Sequence, residues 1–130
     1  MRFVDTPVMC LQIVDRVLIV QWHENEHDDD DNVNQHIERS YRECERLVLE
    51  HDVKSAIVDL STMSNGFMFM NLPRIVSCVI ENDTFIRNVP KVFIIGMYAF
   101  QFMPISPKVR FCDSIGIACH CLKIDADLIL

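Results

Sequence analysis

The sequence predicts an α/β fold in which an N-terminal β-hairpin leads into a mixed, mostly parallel sheet covered by helices. Three observations predict it. Two β-branched, apolar runs within residues 8–22 flank the charged pair Asp15 and Arg16, the pattern of a hairpin. A helical period takes over after Asn32, and short apolar runs at residues 54–61 and 91–96, bounded by polar residues or proline, have the length of buried strands. Strands alternating with helices require crossovers between parallel neighbours, with the helices laid on the faces of the sheet. A chain of 130 residues, half of them apolar, fits one domain over residues 1–130 that buries its core without disulfide or metal support.

Each element follows from its local pattern. The second run of the hairpin, residues 17–20, is continuously apolar, as in a strand covered on both faces. From residue 33 the period changes. Val33, Ile37, Tyr41, Cys44 and Val48 fall within an arc of roughly 80° at about 100° per residue, with Glu38, Arg39, Arg42, Glu43 and Arg46 outside it. This predicts an amphipathic helix with Asn32 as its N-cap, and the preceding aspartates suit the positive end of the helix dipole. After the strand at residues 54–61, Leu72, Ile75, Val76, Val79 and Ile80 give a second helical stripe, with Asn71 as cap and Pro73 in the first turn. The segment KVRFCDSIGIACHCL predicts a short strand through Phe111, an N-cap at Asp113 or Ser114, and a last helix ending at Leu122. The tail KIDADLIL fits no single pattern.

Charge narrows the function. Lys and Arg number 12 against 19 Asp and Glu, a formal charge of −7. Six of those acids lie in HENEHDDDDN, residues 23–32, and without them the chain is close to neutral. A near-neutral body with one acidic stretch argues against binding phosphates, which needs a basic face, so nucleic acid is not an expected partner. The longest apolar tract, residues 92–100, is too short for a transmembrane segment, and the start MRFVDTPVMC has no signal-peptide pattern. The expected location is cytoplasmic.

Chemistry-bearing motifs are sparse. There is no Gly-rich phosphate loop, no G-x-S-x-G and no H-E-x-x-H, so no enzyme and no cofactor are expected; Asp59 and His51 could meet only through folding. Cys10, Cys44, Cys78 and Cys112 stand singly among apolar neighbours, as small hydrophobes do. Only CHC, residues 119–121, clusters, and its spacing is not that of a zinc site. His23, Glu24, His27 and the aspartates form a second candidate metal segment. Against it, the aspartates lack the alternation and the glycine of a calcium loop, so no metal ligand is assigned.

The element order, with AIVDLSTMSNGF and VRFCDSIGIACHCL, resembles the STAS fold of anti-sigma-factor antagonists and of sulfate-transporter domains. It is closer still to the small STAS/SEC14-like bacterial proteins. The likeness runs from about Leu11 to Leu122. It implies a regulatory, non-catalytic protein that binds another protein. In the antagonists a serine in a D-S-x-G turn is phosphorylated; the ungapped alignment from Asp59 puts Met68 at that position, so the switch serine is missing here. The expected partner-binding residues are Asp28, Asp29, Asp30 and Asp31 in one loop, and Ser61, Ser64, Phe67, Met68 and Phe69 in another. The methionines and phenylalanines suit an adaptable contact surface, for an unidentified protein or a second copy of this chain as a homodimer. The alternatives are a carrier of a small apolar, lipid-like ligand, drawing on residues 94–106, and a metal-binding protein acting through residues 23–31.

Overall fold

In the computed structural model, residues 2–6, 8–23, 30–62, 88–96 and 109–129 are described. They form one six-stranded mixed sheet in sequential order, β1 (Arg2–Asp5), β2 (Met9–Val14), β3 (Val17–Trp22), β4 (Ser55–Asp59), β5 (Lys91–Ile95) and β6 (Val109–Cys112). The pairs β1–β2 and β2–β3 are antiparallel, and β3–β4, β4–β5 and β5–β6 are parallel. The α/β class and the hairpin entering a mostly parallel sheet are therefore present.

The hairpin turns on Asp15 (φ 49°) and Arg16 (φ 65°), both left-handed, which is the two-residue turn whose twist matches that of the flanking strands. This turn fixes the register, with Val14 opposite Val17 and Met9 opposite Trp22. One strand is not expected from the sequence: β1 pairs with β2 from Arg2 opposite Ile13 to Asp5 opposite Cys10. Its return is held at Thr6. The Thr6 amide and hydroxyl both donate to the Met9 carbonyl, and the Met9 amide donates back to the hydroxyl.

Helix α1 (Asp30–Glu50) starts three residues earlier than the sequence suggested, so Asn32 lies inside it and is not its N-cap. An acidic first turn is electrostatically compatible with this start. Along α1, Ile37, Tyr41, Cys44, Leu47 and Val48 are buried, while Glu38, Arg39 and Arg42 face solvent. Those buried residues pack on Met9, Leu11, Leu18, Val20, Trp22, Ala56, Val58, Val92, Ile94 and Val109, the inward residues of one sheet face. Burying each large aliphatic side chain there contributes roughly 1.5–3 kcal/mol. The buried Ser40 hydroxyl donates to Thr6 Oγ1 at 2.6 Å, tying α1 to the β1–β2 return.

Strand β4 is shorter than the apolar run that predicted it, because Asp59 bends the chain: its Oδ1 accepts from the amide and hydroxyl of Ser61. The predicted second helix, Leu72 to Ile80, lies outside the described residues, as does Cys78. Helix α2 (Ile115–Leu122) is capped by Ser114, whose hydroxyl accepts from the Ile117 amide, and ends at Lys123 in the left-handed region. The tail forms a 3₁₀ turn at Ala126–Leu128. Helix α2 and this tail cover the other sheet face, where Val14, Val17, Ile19, Ile57, Phe93, Ile95, Ala118 and Cys119 form a second, smaller cluster. Among the described residues, no helix is long and apolar enough to cross a membrane.

Candidate functional site

The register generates the site. Asp5 pairs with Cys10, Cys10 with Gln21, Gln21 with Asp59, Asp59 with Ile95, and Ile95 with Cys112. Residues in register share a face, so these six form one row across all six strands, at the carboxyl end of the parallel strands and on the α2 side. At the β1–β4 end of that row Asp5, Cys10, Gln21 and Asp59 stand together, and Ile95 and Cys112 complete it on β5 and β6. Sites of open α/β sheets lie at this end.

At the β1–β3 corner, Asp5, Cys10 and His23 converge. His23 is two residues past Gln21 and so projects on the same side, and its backbone is fixed by its amide donating to the Val8 carbonyl at 2.9 Å. The Cys10 thiol donates to Asp5 Oδ1 at 3.1 Å, and His23 Nε2 lies 3.6 Å from the same oxygen. The three donor atoms all fall within 4.8 Å of one another. His23 as a residue is half-buried, but its Nε2 atom is sealed from solvent with no hydrogen-bond partner. Burial, followed by the hydrogen bond and the negative charge of Asp5, pushes the Cys10 thiol up to about 11. Cys10 is thus a proton donor to a carboxylate, which corrects the expectation of a small hydrophobe. Cys44 fulfils that expectation in the α1 core, and Cys112 packs half-buried against the second cluster.

The neighbouring stretch of the same edge is knit by main chain and short side chains. Thr62 Oγ1 donates to the Trp22 carbonyl at 2.8 Å, and the Leu60 amide donates to the Ile95 carbonyl at 2.9 Å. Gly96 (φ 89°) lets β5 end directly against this turn: a Cβ there would stand 2.6 Å from Ser61 Cα. Ser61 and Thr62 are left exposed.

Of the residues expected to bind a partner, Ser61 lies at this edge, and Asp30 and Asp31 occupy the first turn of α1, which follows β3 from the same end. Asp28, Asp29, Ser64, Phe67, Met68 and Phe69 lie outside the described residues. So do Glu24 and His27 of the candidate metal segment, and most of residues 94–106. In CHC, Cys119 is buried while His120 and Cys121 are exposed, so its side chains diverge. Cys121 lines a cleft of about 400 Å³ at the opposite end of the sheet, with Lys54, Lys91 and Lys123. Asp59 and His51 sit at opposite ends of β4 and do not form a pair.

The sequence reading missed the Asp5, Cys10 and His23 corner. A signal was present: a two-residue hairpin turn already places Cys10 opposite Gln21 and hence beside His23. The missing step was β1. Against known proteins, no family model matches this chain and no curated protein is significantly similar to it.

Proposed function

We propose that this chain is a non-catalytic regulatory module of the STAS type that binds a protein partner through the carboxyl-end edge of its sheet. The observation that carries the reading is the joining of three strand ends at that edge, through the Thr62 to Trp22 and Leu60 to Ile95 hydrogen bonds and the close approach of Gly96 to Ser61. A turn held from three strands presents Ser61 and Thr62 without loss of order on binding, which is the advantage of a rigid platform. Support for the STAS type comes from the hairpin entry, the sequential strand order, and the last strand followed by a Ser114-capped helix. Without a hydroxyl at Met68 the module lacks the phosphoserine switch of the antagonists, so its binding is not gated at that position.

The acidic run gives the test. Charges beside a binding edge steer encounter and are screened by salt. Replacing Asp28, Asp29, Asp30 and Asp31 by Asn leaves thermal unfolding nearly unchanged and lowers capture of the protein retained by the wild-type chain from host extract, most strongly at low ionic strength. Capture that is equal at all salt concentrations, together with equal capture by a Ser61→Arg, Thr62→Arg variant, removes this edge as the binding surface.

A further inference from the structure

We propose that Asp5, Cys10 and His23 bind a divalent cation of the zinc class, holding it between β1, β2 and the end of β3. The proposal is independent of the identity of any protein partner. It rests on donor type, geometry and an unsatisfied atom.

The donor set is one sulfur, one imidazole nitrogen and one carboxylate oxygen, a combination that selects a borderline-soft ion with four ligands. Calcium and magnesium take six or more oxygen donors and are poorly matched. A tetrahedral ion with nitrogen and oxygen at about 2.0–2.1 Å and sulfur at about 2.3 Å separates its donors by roughly 3.3–3.6 Å. Here Cys10 Sγ and His23 Nε2 are 3.1 and 3.6 Å from Asp5 Oδ1, and no two of the three donors are more than 4.8 Å apart. Changes of a few tenths of an ångström to about one ångström, within reach of side-chain rotation, close the site around an ion.

The second observation is His23 Nε2. It is sealed from solvent, without a hydrogen bond, and 3.6 Å is too long for one to Asp5. A buried nitrogen with no partner costs stability, and a metal ion is a partner that satisfies it. Among the described residues no other three such side chains converge.

The scaffold favours the same conclusion. Asp5 and Cys10 are held by the β1–β2 ladder, and His23 by its amide bond to Val8, so ligands from three strands are positioned before binding. On binding, the Cys10 S–H bond breaks, a sulfur-to-metal bond forms, and the proton leaves to solvent. Thiolate and carboxylate then neutralise a dication. Three protein ligands leave the fourth position to water.

Zinc titrated into the metal-free chain by calorimetry is expected to bind one ion per chain. Cobalt in its place is expected to show the thiolate-to-metal absorption band. Cys10→Ser abolishes that band, and Cys10→Ser, His23→Gln and Asp5→Asn each weaken zinc binding by at least about 10-fold, whereas Cys121→Ser leaves it unchanged. Thermal unfolding without metal checks that each variant is folded. The wild-type chain supplies a measurement that needs no variant: zinc protects Cys10 from alkylation, read by peptide mass spectrometry, more than it protects the exposed Cys121. The proposal is overturned if zinc does not bind, if folded Cys10→Ser and His23→Gln bind as the wild type does, or if protection falls on Cys121 and not on Cys10.

Discussion

On the face covered by α1, every buried strand residue is apolar, from Met9 in β2 to Val109 in β6; on the face covered by α2, the carboxyl-end row carries Asp5, Cys10, Gln21 and Asp59. Helix length accounts for much of the difference. With 21 residues α1 is about 32 Å long and reaches along the whole strand, whereas α2, with 8, is about 12 Å long. The 3₁₀ tail extends its cover only as far as Gln12, whose side-chain amide donates to the Leu128 carbonyl at 2.7 Å. Beyond that reach polar side chains remain hydrated or pair with one another. The larger apolar cluster thus lies on one face, and the other keeps a polar corner at its carboxyl end.

The comparison breaks most visibly under cavity formation. Leu47, 1% exposed in α1, should cost about 2–5 kcal/mol when replaced by Ala, a substitution that carries no helix-propensity penalty. Leu122 in α2 is only partly buried against the second cluster, and Leu122→Ala should cost roughly 1 kcal/mol. Urea unfolding of the two variants measures the contrast directly. Equal losses would mean that the faces share the stability evenly.

Next in size is the edge where the faces meet. In Gly96→Ala the new Cβ meets Ser61 backbone, which cannot rotate away, at a φ that L-residues avoid. A loss of about 1–3 kcal/mol is expected in urea unfolding. A neutral result would show that the β4 and β5 ends are loosely joined, and the platform proposed for partner binding would lose its rigidity.

Much of this architecture was legible in the sequence, and the reasons are local. The Asp15 and Arg16 step, the 3.6-residue stripe from Ile37 to Val48, and a cap at Asp113 or Ser114, which the structure places at Ser114, each declare themselves within a few residues. Strand β1 did not, because RFVD is four residues long and becomes a strand only by pairing with β2. The corner of Asp5, Cys10 and His23 depends on that pairing: the hairpin register brings Cys10 beside His23, but Asp5 joins them only through β1. The start of α1 was also misplaced: Asn32 is a good cap by type, but the helix begins at Asp30.

A smaller, stabilising effect is expected in the hairpin that feeds both faces. Arg16 holds φ 65°, which glycine adopts without strain. Arg16→Gly should raise stability by about 0.5–1 kcal/mol, since the Arg16 to Asp52 ion pair it removes is 3.7 Å long and solvent-exposed. Urea unfolding reads the gain; a loss would show that the arginine side chain contributes more than its exposure suggests.

The smallest effect belongs to Asp52, which lies on neither face. Its carboxylate accepts from Lys54 Nζ at 3.0 Å, and that hydrogen bond, then the charges of Lys54 and Arg16, hold it below the usual carboxylate value of 3.8. A carboxyl group depressed in the folded state stabilises fully above the unfolded value and loses that contribution as pH falls through the folded one. Asp52 sits at φ 50°, a conformation Asn tolerates as well as Asp does, so Asp52→Asn removes the charge with little change to the backbone. The variant should therefore melt slightly below the wild type at neutral pH, and the two should converge in acid as pH falls through the lowered folded-state value and the wild-type carboxylate takes up its proton. Salt should shrink the neutral-pH difference, because all three groups face water. A difference that persists in acid would mean that the substitution acts through the turn backbone, and surface charge at this end of the sheet would then contribute nothing measurable to stability.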